Sequence, residues 1–392
     1  MDRKIHLEII YENNLDTDKF ARMLDNKSQS YKFYWLEAIL RLIIEMEGDL
    51  SFDQIINEMI CDAWHTVTHY HLRLGPTVNG KSENFLEHAI NVLNEHARDE
   101  LSQNPSREEL LLAINKNDDK LKNDKYRLTD YVPYKLLYPF LDDEGLTYLR
   151  KDQRGRLIAY MEQLTDEENL FYRIIDGSGL WKKVRVNNNW RKLIFDNYSV
   201  ITSWIKYNKV QFLQDRNPGV PGIIYKISPE SDNVRRLEKA RDLWKTAVQI
   251  TGQPIRDIYT GEKLNVERFD LDHFVPRSYI ANDELWNLTP MSKNLNSSKN
   301  NKLPPWDKYF KGFAEYQFYL YQLIFAIEDT HGNTAFQNKF EKCRRYNLNS
   351  IWASESLYIK GNTEEQFINI LEHNLKPVYD AAKLQGYDLW RL

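Results

Sequence analysis

From Phe269 to Lys302 the chain reads FDLDHFVPRSYIANDELWNLTPMSKNLNSSKNNK, and its polar residues are of types that can do chemistry together. An Asp272-His273 pair is followed by Pro276, and Asn287 lies 14 residues after His273. Asn296 lies 23 after His273, and Lys299 a further 3 on. Hydrolysis of a phosphodiester needs a deprotonated water, shielding of charge on the transition state and help for the departing oxygen. A neutral imidazole near its working pKa can take the proton from water. The Asp272 carboxylate and the Asn296 amide oxygen suit a hard divalent ion, and two protein ligands leave most of a magnesium shell to water and phosphate.

Such groups act only if local structure gathers them. IRDIYTGEKLNVERFDLDHFVP reads as a hairpin turning at Thr260-Gly261. Phe269 and Leu271 would form an apolar strand face, and Asp270 and Asp272 an acidic one. Adjacent strand residues point to opposite faces, so Asp272 and His273 share a site only if the strand ends or bulges there. Pro276 makes an ending plausible. Thr289-Pro290 has the form of a helix start. On a helix from there, Asn296, Lys299 and Asn300 share one face, and Asn294, on another face, competes with Asn296 as a ligand. Leu303 before Pro304 would end the helix.

Over about residues 255–304 this DxDHxxP pattern, with Asn at 14 and 23 and the NxxK ending, resembles the HNH endonuclease family with its ββα-metal motif, in an HNN form. The resemblance implies His273 as general base, Asn287 as the residue that fixes the connecting loop, and Asp272 and Asn296 as metal ligands. Lys299 is then a candidate phosphate contact, as are Arg277, Lys293 and Lys302. The HNH module of RNA-guided CRISPR effectors shares the spacing and also has an acid at the place of Asp270. The implied activity is metal-dependent endonucleolytic cutting of DNA, with a role in bacterial anti-phage defence or restriction. An RNA-cutting enzyme and a catalytically silent nucleic-acid-binding scaffold are the alternatives. Asn rather than His at the last position favours magnesium or manganese. Many relatives add paired cysteines that bind zinc, and Tyr259 to Gly261 and Ser292 to Leu295 hold none. We therefore expect no structural zinc, with flanking helices and aromatics such as Trp286 and Trp306 bracing the motif.

The rest of the chain reads as mainly helical support. Amphipathic runs such as KFYWLEAILRLIIEME and LSFDQIINEMICDAW, with Ser51 as a cap, fill the first part. KKVRVNNNW alternates like a strand. Beyond Pro305 the pattern is again helical, with Thr363 expected to cap the last helix and Pro377 to kink or stop it. NPGVPGI is the expected main boundary. It gives a helical region at 1–222, a nuclease domain with its lead-in helix at 223–312, and a helical region at 313–392.

The net charge of −4 argues against bulk electrostatic coating of nucleic acid, so any basic surface must be local. The most basic window holds Lys182, Lys183, Arg185, Arg191, Lys192, Lys206 and Lys209 against Asp196 alone. With Trp190 and Trp204 interleaved it is the candidate strand-tracking surface. His65 and His69, at i and i+4, read as ordinary partly buried histidines because a third ligand is missing. Cys61 and Cys343, far apart, fit a reducing compartment. The N-terminus has no secretion-signal pattern, and no apolar run approaches the ~20 residues that span a bilayer, so a cytoplasmic location without membrane contact is expected. One motif supplies one site. Cutting both strands at once would take a second copy, and an activating partner or signal is compatible with the helical flanks.

Overall fold

The computed structural model describes residues 15–76, 83–164, 170–175, 177–227, 236–329 and 334–392. The N-terminal stretch read for a signal lies outside them, as does most of the polar turn GPTVNGKSEN. The chain is mainly helical, and its described strands form two small sheets. It divides into two compact units, Met1–Pro218 and Gly219–Leu392. The division falls inside the NPGVPGI connector, and residues 313–392 belong to the same unit as the candidate site.

In the first unit the helix Phe52–Thr68 starts at a reciprocal cap. Gln54 donates its backbone N–H to Ser51 Oγ at 3.1 Å, and Ser51 N–H reaches Gln54 Oε1 at 2.9 Å. Its apolar face buries Ile55, Ile56, Met59 and Ile60, packing against the helix Tyr31–Glu45. Strands β1 (Leu50–Ser51), β2 (Tyr172–Ile175) and β3 (Lys183–Val186) form an antiparallel sheet in the order β1-β3-β2. In β3 the alternation read from the sequence holds. Val184 and Val186 are buried, while Lys183 and Arg185 face out.

In the second unit β4 (Asp270–His273) pairs antiparallel with β5 (Leu288–Met291), Asp272 opposite Thr289 and His273 opposite Leu288. This differs from the expected hairpin. Residues 257–262 make their own reversal, with Asp257 N–H on the Glu262 carbonyl at 2.9 Å and a single bridge from Arg256 to Lys263. The ladder partner of β4 comes instead from beyond the 274–287 loop. Thr289-Pro290 is part of β5, not a helix start; a two-stranded sheet leaves each strand an unpaired edge, where a proline costs no ladder bond. The helix starts later, at Lys293–Lys299, capped by Ser292 Oγ on Leu295 N–H.

Three long helices, Trp306–Asp329, Thr334–Asn347 and Glu364–Leu384, pack around this ββα unit. Thr363 does cap the last one, in a box with Gln366, and the helix runs on through Pro377 to Leu384. Phe274, next to His273, stacks on Phe313 with centroids 4.4 Å apart and meets Trp306 edge-on at 5.9 Å. Trp286 contacts Trp352 at 5.0 Å, and Tyr259 meets Trp390 at 5.1 Å. Aromatic burial of this kind stabilises a motif too small to hold a core of its own.

Candidate active site

Strand β4 ends at His273, the point where an ending was needed for Asp272 and His273 to serve neighbouring positions. Asn287 holds the backbone just beyond it. Its Oδ1 accepts from Val275 N–H and its Nδ2 donates to the Val275 carbonyl, both at 2.8 Å, while its own carbonyl accepts from Phe274 N–H at 2.8 Å. Asn287 is fully buried, so it cannot touch a substrate; it clamps the loop that carries His273.

The His273 ring faces an acid that the sequence did not single out. Its Nε2 lies 2.8 Å from Asp283 Oδ1, which also accepts from Arg277 Nε at 2.9 Å. Asp283 Oδ2 accepts from Arg236 N–H at 2.6 Å. Burial pushes the Asp283 carboxyl up, but the His273 contact, the Arg236 amide and the Arg277 guanidinium outweigh it and hold the group at about 2. An ionised Asp283 requires the proton on Nε2. The lone pair is then on Nδ1, which has no hydrogen-bond partner among the described residues. Burial lowers the His273 pKa below its usual 6.5 despite the opposing pull of Asp283, so the imidazole is neutral at pH 7.

Asp272 points from the other face into the unit and is 3% exposed. Its Oδ1 accepts from Lys299 Nζ at 2.9 Å and its Oδ2 from Tyr259 OH at 2.9 Å. Lys299 is fully buried and also donates to the His273 carbonyl at 2.7 Å. The lysine expected to meet phosphate is therefore an internal counter-ion for Asp272, bracing the end of β4 from the helix Lys293–Lys299. Burial lowers its pKa, and Asp272 opposes that.

Asp270, one strand repeat before Asp272, points to the same face but is a third exposed. Asn296 reaches it, with the side-chain amide 3.5 Å from Asp270 Oδ2. A flip of that amide would turn Asn296 Oδ1, in place of Nδ2, toward the Asp270 carboxylate. Asp272 keeps a second lone pair on each oxygen. The donor set of Asp270, Asp272 and Asn296 is all oxygen, and so suits a hard cation; among the described residues no three His, Cys, Asp or Glu side chains cluster as a metal site by themselves. Asn294 is exposed and has no part in these contacts.

Of the other candidates, Arg277 is committed to Asp283, and Lys293 and Lys302 are exposed on the flanks of the site helix. The basic window of the first unit is largely spent internally. Arg185 pairs with Asp49 through two 2.8 Å contacts. Arg191 donates to the carbonyls of Ile43, Met46 and Gly48, and Lys182 to Tyr134 OH at 3.0 Å. Lys209 pairs with Glu37 at 2.6 Å. Trp190 is completely buried, stacked on Phe20, which removes it as a base platform. Lys183 and Lys192 do face solvent. His65 sits on its helix with its pKa lowered by burial, as an ordinary core-edge histidine does.

Asp283, Tyr259 and Asp257 escaped the sequence reading. Asp257 bonds Tyr259 N–H at 2.9 Å and Ser292 N–H at 3.1 Å, tying the 257–262 reversal to the cap of the site helix. Glu284, also buried, accepts from Trp286 Nε1 at 3.0 Å and from Asn349 and Ser350 N–H. Asn347 Nδ2 donates to the Asp283 carbonyl at 2.6 Å. Residues some 60 positions downstream therefore hold the loop that carries Asp283. No spacing rule could point to them.

Residues 257–305 match the family described as HNH endonuclease. A CRISPR-associated endonuclease Cas9 from Listeria innocua serovar 6a is 33% identical over 70 residues, a match that covers 14% of this chain and 5% of the relative. No solved structure matches the chain.

Proposed function

We infer that this chain, a nuclease by virtue of its HNH endonuclease domain at residues 257–305, hydrolyses phosphodiester bonds of DNA with His273 as general base. The observation that carries the reading is the His273–Asp283 pair at the end of β4, which leaves Nδ1 as the basic nitrogen of a neutral ring. Nδ1 takes the proton of the attacking water. Asp283 keeps the other proton on Nε2, orients the ring and offsets the imidazolium charge that forms, the role of the third member in triad chemistry. Asn287 holds the loop so that this alignment survives substrate binding. The oxygens of Asp270, Asp272 and Asn296 are the groups that would hold magnesium or manganese, which when bound supplies Lewis acidity at the phosphate. Lys299 balances the Asp272 charge and keeps the carboxylate in place.

A role in anti-phage defence or restriction, and DNA ahead of RNA as substrate, extend this reading by analogy with HNH enzymes that have long helical flanks. The test is incubation of the purified chain with supercoiled plasmid, single-stranded DNA and RNA, each with magnesium, manganese or chelator. Nicking of plasmid that needs the metal is expected, with a loss of at least ~100-fold in His273→Ala and Asn296→Ala. Preferential cutting of RNA would move the substrate. Undiminished activity of His273→Ala would end the assignment of the base, and no cutting of any substrate would favour the silent binding protein.

A further inference from the structure

The first unit contains a cleft of about 230 Å³ beside the helix Val132–Lys135, closed on its other side by the turn between the helices Asp143–Arg150 and Arg154–Gln163. Tyr131, Tyr134 and Tyr148 line it together with Lys135, Arg150 and Arg154. Tyr131 is 55% exposed, a large ring left in water at the mouth. The Lys135 ammonium lies 4.8 Å from its centroid and the Arg154 guanidinium 5.4 Å.

The charges around the cleft are unevenly spent. Its two acids, Asp130 and Asp152, both bind Arg154, each at 2.9 Å. Lys135 and Arg150 line the cleft and form no ion pair among the described residues; Arg150 reaches only the Tyr138 hydroxyl, at 3.2 Å. Lys151, exposed on that turn, and Arg156, exposed on the helix Arg154–Gln163, likewise form no ion pair among the described residues, and Arg156 reaches Gln153 Oε1 at 3.4 Å. The cleft thus sets Lys135 and Arg150, without an ion pair among the described residues, beside the exposed Tyr131 ring.

An acidic peptide would use the cations and leave the rings idle. A purely apolar ligand would have no use for the cations. A flat π-system carrying a phosphate uses both, because aromatic and guanidinium planes stack on bases while free cations bind phosphate oxygens. The volume lies below the ~300–1,000 Å³ of pockets for drug-sized ligands, which limits the occupant to one ring system. We propose that this cleft binds one unpaired nucleobase with its attached phosphate, the base against Tyr131 and the Arg154 plane and the phosphate on Lys135 and Arg150. The base and phosphate could belong to a single strand or to a free nucleotide. The site stands on its own chemistry, and only the preference for a strand rests on the nuclease reading.

The experiment uses the full chain with His273→Ala, so that no probe is cut. Binding of a short fluorescein-labelled oligothymidylate is followed by anisotropy, and binding of thymidine monophosphate by calorimetry. Tyr131→Ala should weaken binding roughly 5- to 100-fold, while Tyr131→Phe, which keeps the ring, stays within about twofold. Arg150→Glu should weaken it as well and reduce the salt slope by about 1. Both positions are exposed, and a thermal melt checks that each variant is folded. Loss confined to the monophosphate would assign the cleft to a free nucleotide, with the base-and-phosphate chemistry intact. Unchanged binding of both probes in Tyr131→Ala and Arg150→Glu would overturn the proposal. Because the readout is binding, a chain that never cuts plasmid but loses strand binding in these variants would remove the nuclease reading and keep the cleft.

Discussion

Replacing Asp283 by Asn separates the role of the acid from that of the histidine it faces. The carboxylate has three donors around it, His273 Nε2 and Arg277 Nε on one oxygen and Arg236 N–H on the other. Asn has one acceptor oxygen, so its NH2 must face either the Arg236 amide or the pair formed by His273 and Arg277. If the NH2 faces the ring, Nε2 becomes an acceptor, the proton moves to Nδ1, and the base is lost. A wrong tautomer of this kind lowers turnover by ~10²- to 10⁴-fold. The pH profile adds a second readout. The parent rate should rise to a plateau through a midpoint below 6.5, set by the burial-lowered His273. Asp283 raises that midpoint, so in Asp283→Asn any residual activity should titrate at a lower pH. Stability changes too. A carboxyl held at about 2, below the ~3.9 of an unfolded chain, contributes roughly 2–3 kcal/mol. That contribution is complete above the unfolded pKa and is lost as pH falls through the folded one. The variant should thus melt roughly 5–10 °C lower at pH 7, with the gap closing toward pH 2. Single-turnover cutting of labelled DNA at 25 °C, from pH 5 to 9, measures the effect on folded protein. A variant that cuts at the parent rate with the parent midpoint would refute the role given to Asp283.

Lys299→Met should destabilise the second unit by ~3–5 kcal/mol, because Asp272 is left charged and buried with only Tyr259 as donor. Added magnesium should raise its melting temperature more than it raises that of the parent, and an equal shift in both would speak against Asp272 at the metal. Asn287→Ala strands the Val275 N–H and carbonyl in a dry loop, at a cost of ~2–5 kcal/mol, and should impair cutting through misplacement of His273; calorimetry with an activity assay on the folded fraction checks both. Asn294→Ala, at an exposed position, should keep full cutting where Asn296→Ala loses it, and the reverse order would exchange the two as ligands.

The alternation of Phe269 and Leu271 with Asp270 and Asp272 marked β4, and the intervals to Asn287 and Asn296 marked the site, because strand and helix periodicity and short connections are local properties. The chain by itself therefore determined the mainly helical class and the location of the ββα motif. It misplaced the partner of β4 and the start of the site helix. Thr289-Pro290 carries a helix-start signal by local chemistry, and pairing across the 274–287 loop overrode it. Tertiary structure alone decided which charges are spent. Lys299 turned inward because the helix Lys293–Lys299 lies across β4 with Asp272 beneath it, and Arg185 and Arg191 found acceptors on distant residues. Asp283 became the partner of His273 because residues near 347–350 hold its loop. A cation's availability depends on whether an acceptor lies within about 3 Å, and that is settled by folding rather than by distance along the chain.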